Sequence, residues 1–132
     1  MKIRELDNTD FSQVIEIWKR SFSNNFDKQI NTSYLSDPSS ITIVSVDNDT
    51  VTGVASLHVI KKLTRTLGLI EDVAVNENYR GKGIGKKLVE KLIVIASEKN
   101  CDKTVLNSSE KNSEFYKKLG FEKNEIQMII RS

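Results

Sequence analysis

The run Arg80-Gly81-Lys82-Gly83-Ile84-Gly85 sets three glycines at alternate positions, and Lys86 and Lys87 follow it. If a helix begins here, its free N–H groups and partial positive charge face an anion, and the glycines let backbone approach it closely. A Walker A loop requires Ser or Thr after its lysine, and Lys87 stands there; a dinucleotide fingerprint requires two residues between its later glycines, and only Ile84 is present. The spacing therefore reads as a phosphate cradle of another kind, or as a tight turn with a solvated basic face. Upstream, Glu71 and Asp72 interrupt an apolar run. Neighbours on a regular strand face opposite sides, so they do not form a paired-carboxylate site. They read as a solvated edge, or as one substrate contact beside one structural contact. Tyr116 shares helical spacing with Phe115 and Leu119, which suits core packing, and its phenol is also a candidate proton donor. His58 and Cys101 are each the sole residue of their type, so a zinc site built from protein ligands is excluded in practice. His58 reads as a packed or surface strand residue without a catalytic role, and Cys101 as a bland position near a helix end.

These residues need elements to position them. Residues 2–6 alternate as a short strand. Asp10 is placed to cap a helix on which Phe11, Val14, Ile15, Trp18 and Phe22 form the apolar stripe, with Gln13, Glu16, Lys19 and Arg20 opposite. Residues 23–40 are rich in Ser and Asn and hold a weak second helix near 27–35. Residues 41–46 and 51–60 are β-rich around the turn Asp47-Asn48-Asp49-Thr50, a hairpin. Residues 67–75 form the next strand. A long helix follows the glycine turn to about Lys99, with Ile84, Leu88, Leu92, Ile95 and Ala96 on one face. Residues 103–107 form a strand, Asn112 caps a short helix that ends at Gly120, and residues 125–130 form a last strand. The order predicts an α/β sheet of mixed direction, with parallel strands on either side of the long helix.

Composition bounds the function. The 132 residues make one domain, 1–132, with 38% hydrophobic and 29% charged residues, a globular mix. A net charge of +2 argues against a nucleic-acid partner, and no apolar run suits a membrane span. Residues 1–5 lack the apolar core of a signal peptide, which predicts a cytoplasmic location.

Arg80-x-x-Gly83-x-Gly85 resembles the pyrophosphate loop of the Gcn5-related N-acetyltransferases, and Asn112, Phe115-Tyr116 and Gly120-Phe121 resemble that family's second hallmark. Over residues 59–131, the stretches Ile70-Glu71-Asp72-Val73-Ala74-Val75-Asn76, Glu110-Lys111-Asn112 and Met128-Ile129-Ile130-Arg131 are most similar to members that acetylate D-glucosamine 6-phosphate. The resemblance implies the family's α/β fold, a mixed and mostly antiparallel central sheet with helices on both faces. It implies acetyl-CoA as cosubstrate, no metal, and a place in amino-sugar nucleotide synthesis. The pyrophosphate would meet Arg80 and the N–H groups of Gly81, Lys82, Gly83, Ile84, Gly85 and Lys86. The pantetheine arm would pair with Val73, Ala74 and Val75, the Val73 N–H pointing at the thioester carbonyl. Asn107 and Asn112 would border the cofactor. Tyr116 would protonate the departing thiolate. Glu71 would orient the amine and take its proton through water, with Asp72 also on the sugar. Lys61, Lys62, Lys103 and Arg131 would meet the sugar phosphate, Arg131 at a site built across a homodimer to which the last strand contributes.

Two positions depart from this pattern. Asn107 stands where an aspartate is usual and cannot accept a proton at neutral pH. Ser21-Phe22-Ser23 replaces a substrate-contacting threonine. The alternatives are an acetyltransferase for a polyamine, an antibiotic or a protein amine, and a noncatalytic acyl-CoA-binding module. The cationic set argues against a polyamine, and Tyr116 against loss of chemistry.

Overall fold

The computed structural model describes residues 1–22 and 30–132. Its elements are β1 (Lys2–Glu5), α1 (Phe11–Phe22), β2 (Ser40–Asp47), β3 (Thr50–Lys61), β4 (Thr66–Val75), α2 (Ile84–Glu98), β5 (Lys103–Leu106) and α3 (Glu110–Lys118). The sheet order is β1-β2-β3-β4-β5. All pairs are antiparallel except β4 and β5, which the α2 crossover makes parallel.

The alternation of β2 and β3 builds two cores. Ile43, Ala55, Leu57 and Ile70 meet Ile84, Leu88, Val89, Leu92 and Ala96 on the α2 side. Val44, Val51, Val54 and Ala74 meet Val14 and Ile17 of α1 on the other. Helices thus cover both faces of a mixed, mostly antiparallel sheet, as expected. Gln13 lies on the expected solvent face of α1, yet it takes the Val51 N–H at 2.9 Å and donates to the Asp49 carbonyl at 3.2 Å, pinning α1 to the β2–β3 turn.

Three expected details are corrected. Asp10 is not the cap of α1. Asp7 caps a 3₁₀ turn, Asn8–Asp10, ahead of it, and the Asp10 carboxylate turns back to the Asp7 N–H at 2.9 Å and to both Arg4 nitrogens at 2.8 and 3.0 Å. The short helix is capped by Ser109 and not by Asn112, whose N–H donates to Ser109 Oγ at 3.3 Å; serine one turn earlier meets the free N–H groups better than a residue already inside the helix. Residues 125–130 form no strand: Ile126, Met128 and Ile130 alternate like one, but the segment pairs with no neighbour among the described residues and leaves these side chains 86%, 88% and 96% exposed. Alternation without a ladder partner does not make a strand. The expected helix near 27–35 lies partly outside the described residues; its described part includes a 3₁₀ turn, Thr32–Ser36.

Candidate active site

β4 carries the irregularity that shapes the site. It pairs with β5 only from Leu67 opposite Lys103 to Ile70 opposite Leu106. Against β3 its register slips: Ser56 faces Glu71 but Val54 faces Ala74. The extra residue is absorbed at Asp72, whose φ of 58° is left-handed, a strained choice for a residue with a side chain. Trp18 holds the kink by donating Nε1–H to the Asp72 carbonyl at 3.0 Å. The expected alternation of Glu71 and Asp72 therefore does not hold. The bulge leaves both exposed on the strand where it parts from β5. Partial loss of water raises the Asp72 carboxyl above its ordinary range, the Glu71 charge adds to this, and His58 opposes it. Past Ile70, β4 has no strand on its β5 side among the described residues, so alternate N–H and C=O groups of residues 71–75 line an open edge. Val73, Ala74 and Val75 lie on it. Val73 and Val75 also pack on the α2-side core, so one backbone serves structure and edge together.

From Val75 the chain turns through Asn76, which caps the 3₁₀ turn Glu77–Tyr79, into the glycine run. Gly81 and Gly83 have φ of 81° and 78°, and a Cβ at either would meet nothing within 4 Å. Gly83 is the N-cap of α2 and offers no side-chain bond, so the first N–H groups of α2 have no side-chain cap there. Gly85 differs: a Cβ there would touch Val75 and Phe115 at 3.6 and 3.7 Å, ordinary contact. Lys82 is drawn aside over the Tyr79 ring, 5.2 Å from its centre. Arg80 and Val75 share a groove of about 460 Å³ with the exposed side of α1, bridged by the Arg20–Glu77 ion pair at 2.8 Å. This open, cation-flanked cradle beside an unpaired strand edge fits a diphosphate with an extended, amide-bearing arm, the shape of coenzyme A.

The far wall comes from β5 and α3. Asn107 and Ser109 follow β5 and are exposed. Tyr116 is half-buried, edge-on to Phe115 and Phe121 with centroids 5.0 and 6.0 Å away. The helix ends in a Schellman turn: Phe121 N–H reaches the Tyr116 carbonyl at 3.1 Å and Gly120 N–H the Lys117 carbonyl at 3.0 Å, with Gly120 at φ 103°. Gly120 thus fixes where Tyr116 sits. Burial raises the Tyr116 phenol above its ordinary value, so it keeps its proton at neutral pH.

The expected cations lie elsewhere. Lys61 pairs opposite Thr66 and Lys103 opposite Leu67, at the start of β4 with Lys62 in the adjoining turn, roughly 13–17 Å along the strand from Glu71. Arg131 is exposed in the C-terminal segment. One chain therefore unites the glycine cradle, the open edge and Tyr116, and leaves the cations apart from the carboxylates. Among the described residues no group of three or more His, Cys, Asp or Glu is placed to hold a metal, and no helix is long and apolar enough to cross a membrane. The sequence pattern missed Trp18; only cross-sheet register reveals its role.

The glucosamine 6-phosphate N-acetyltransferase 1 of Dictyostelium discoideum is 40% identical over 110 residues, 81% of this chain and 67% of that one. The glucosamine 6-phosphate N-acetyltransferase of Trypanosoma brucei brucei is 48% identical over 83 residues, 61% of this chain and 56% of that one. The match thus spans between about half and two thirds of those relatives' length. The crystal structure of glucosamine-6-phosphate N-acetyltransferase from Arabidopsis thaliana superposes with a TM-score of 0.89 at 28% identity, covering 98% of this chain and 97% of that one. The family described as Acetyltransferase (GNAT) matches residues 2–121, so the chain that carries this cradle, edge and tyrosine belongs to that family.

Proposed function

We propose that the protein transfers the acetyl group of acetyl-CoA to the amine of D-glucosamine 6-phosphate by direct attack. The single observation that carries the reading is the open edge of β4 running into an uncapped, glycine-built helix start. The edge and the cradle are contiguous through Val75, as one extended thioester cosubstrate requires. The N–H groups of residues 81–86, with Arg80, hold the diphosphate. Val73 and Val75 pair with the pantetheine arm, and the Val73 N–H stabilises charge growing on the thioester oxygen. Glu71 orients the amine and takes its proton through water; a sugar amine lies close enough to neutrality that a strong base is not needed. The carbon–nitrogen bond forms as the carbon–sulfur bond breaks, and Tyr116 returns a proton to the thiolate. Asn107 contributes its backbone carbonyl, since its amide cannot take the proton. The names of the relatives support the sugar phosphate as acceptor, and through it a role in supplying amino-sugar nucleotides in the cytoplasm.

The separation of the cations from Glu71 favours a site completed by a second copy. Ile126, Met128, Ile129 and Ile130 are exposed beside Arg131, an apolar run that a second copy would cover. In the homodimer we propose, this segment pairs with the partner copy and carries Arg131 to the sugar phosphate.

A thiol-release assay with acetyl-CoA across an amine panel tests the reading. Glucosamine 6-phosphate is expected to outrun glucosamine by about 10-fold or more, since each charged hydrogen bond to phosphate is worth about 1.5–3 kcal/mol. Arg131→Ala should erase most of that preference by raising KM for the phosphorylated sugar alone. Equal use of both sugars, or full activity in a strict monomer by sedimentation, contradicts it.

A further inference from the structure

Two polar rows cross the α1 face of the sheet beyond the apolar contacts of α1. Thr42 pairs with Ser56, and Ser56 with Glu71; one step along, Ser40 pairs with His58, and His58 with Leu69. Paired residues share a face, and this face is opposite the one that carries Ile43, Leu57 and Ile70 into the α2-side core. The first row is a hydroxyl chain. Tyr34 Oη lies 2.6 Å from Thr42 Oγ1, which lies 2.7 Å from Ser56 Oγ. Thr42 and Ser56 are 5% and 2% exposed. In the second row Ser40 Oγ lies 3.1 Å from His58 Nδ1, and the Tyr34 ring meets the His58 ring edge-on at 6.1 Å. One side chain, Tyr34, therefore closes over both rows.

The hydroxyl chain differs from the Ser45–Thr52 hydroxyl pair, 2.7 Å apart, in reaching a half-buried side chain, since both members of that pair are fully buried. Tyr34, Thr42 and Ser56 have three O–H protons and only two mutual bonds, so one proton leaves the chain at an end. One end is the half-buried Tyr34; the other is Ser56, opposite Glu71. His58 likewise spends Nδ1 on Ser40, and Nε2 has no hydrogen-bond partner among the described residues. Among the described residues its titratable neighbours include Asp72 and Asp37, whose carboxyls both feel the imidazole, and Tyr34, whose ring meets it edge-on. The rows stand roughly 7 Å apart along β3, a spacing that suits two substituents of one ring.

We propose that Tyr34 and His58 form an acceptor-recognition wall beside Glu71, which selects amines flanked by hydroxyl groups. The wall rests on the reading of Glu71 as the acceptor-side residue given above and adds specificity determinants to it. The ring hydroxyls of the acceptor take the spare O–H of the Tyr34–Thr42–Ser56 chain and His58 Nε2.

His58 is the only histidine, so its ring signals in a heteronuclear NMR spectrum report on the wall alone. Glucosamine 6-phosphate added to the CoA-bound protein should shift them, and CoA alone should not. Tyr34→Phe keeps the ring and should raise KM for glucosamine 6-phosphate about 3–10-fold, with KM for acetyl-CoA unchanged, the loss expected for one neutral hydrogen bond. His58→Leu should do the same, and His58→Gln, which keeps a hydrogen-bonding group, should recover part of it. If glucosamine 6-phosphate is acetylated while the His58 signals stay still and both KM values hold in Tyr34→Phe and His58→Leu, the wall is refuted and the proposed function stands. If glucosamine 6-phosphate is not acetylated but another hydroxylated amine is, with His58 shifting, the wall stands and the sugar-phosphate reading falls.

Discussion

Residues 66–70 and 71–75 belong to one strand, yet among the described residues β3 and β5 flank the first half and β3 alone flanks the second. In the first half every neighbour is close: a Cβ on Gly68 would meet Thr104, Cys101 and Leu57 side chains at 3.2–3.3 Å. In the second half a bulge, a left-handed Asp72 and a missing neighbour leave backbone groups unspent, and the glycine run that follows opens onto empty space. The contrast shows where binding capacity comes from. The paired half spends its hydrogen bonds on the sheet; the second half keeps an edge that the proposed cosubstrate would take, and Trp18 holds its kink.

Substitutions on either side of this boundary should separate binding from stability. Gly83→Val puts a branched side chain at φ 78° in the space a diphosphate would fill. It should weaken acetyl-CoA binding by about 100-fold or more, as loss of two charge-assisted bonds would; unchanged affinity in a folded variant by calorimetry would remove this loop from the site. Gly68→Val overpacks the paired half and should lower unfolding free energy by about 2 kcal/mol, read by denaturant melts, with acetyl-CoA affinity kept in the folded fraction. A loss of affinity there would break the proposed division. Tyr116→Phe removes one proton and little volume. Turnover should fall about 10-fold while acetyl-CoA affinity holds; wild-type turnover would make Tyr116 a packing residue.

The smallest effect is expected far from β4. Arg4 holds the Asp10 carboxyl below its ordinary value, chiefly by hydrogen bonding, against the opposing cost of burial. A lowered folded pKa means the contribution is present above the ordinary aspartate value and is lost as pH falls through the folded one. Asp10→Asn should cost about 1 kcal/mol at neutral pH, after screening at the partly exposed Arg4, and the difference should vanish in acid melts. Acetyl-CoA affinity should not change at any pH where the protein is folded.

Much of the fold was legible because its signals are local. The α1 stripe, the Asp47-to-Thr50 turn and the glycine run each depend on residues within one or two turns of one another. The glycine cradle and the strand leading into it were legible for the same reason, since the strand, the loop and its helix are consecutive. The acceptor half was not. The bulge at Asp72 arises from a register slip against β3, and the Thr42–Ser56–Glu71 row joins three strands. Neither leaves a mark in a linear pattern. The contacts of His58 with Ser40 and Tyr34, 18 and 24 positions away, leave no mark there either. The last expected strand failed for the opposite reason: its alternation is present, but no ladder partner stands beside it among the described residues.

Amide hydrogen exchange along β4 tests the central claim most directly. Without ligand, residues 67–70 should already be protected and the edge amides of residues 71–75 should exchange faster. Acetyl-CoA should slow exchange at Val73 or Val75 and at residues 81–86, and leave residues 67–70 unchanged. Acetyl-CoA binding that leaves residues 71–75 as exposed as before would contradict the account.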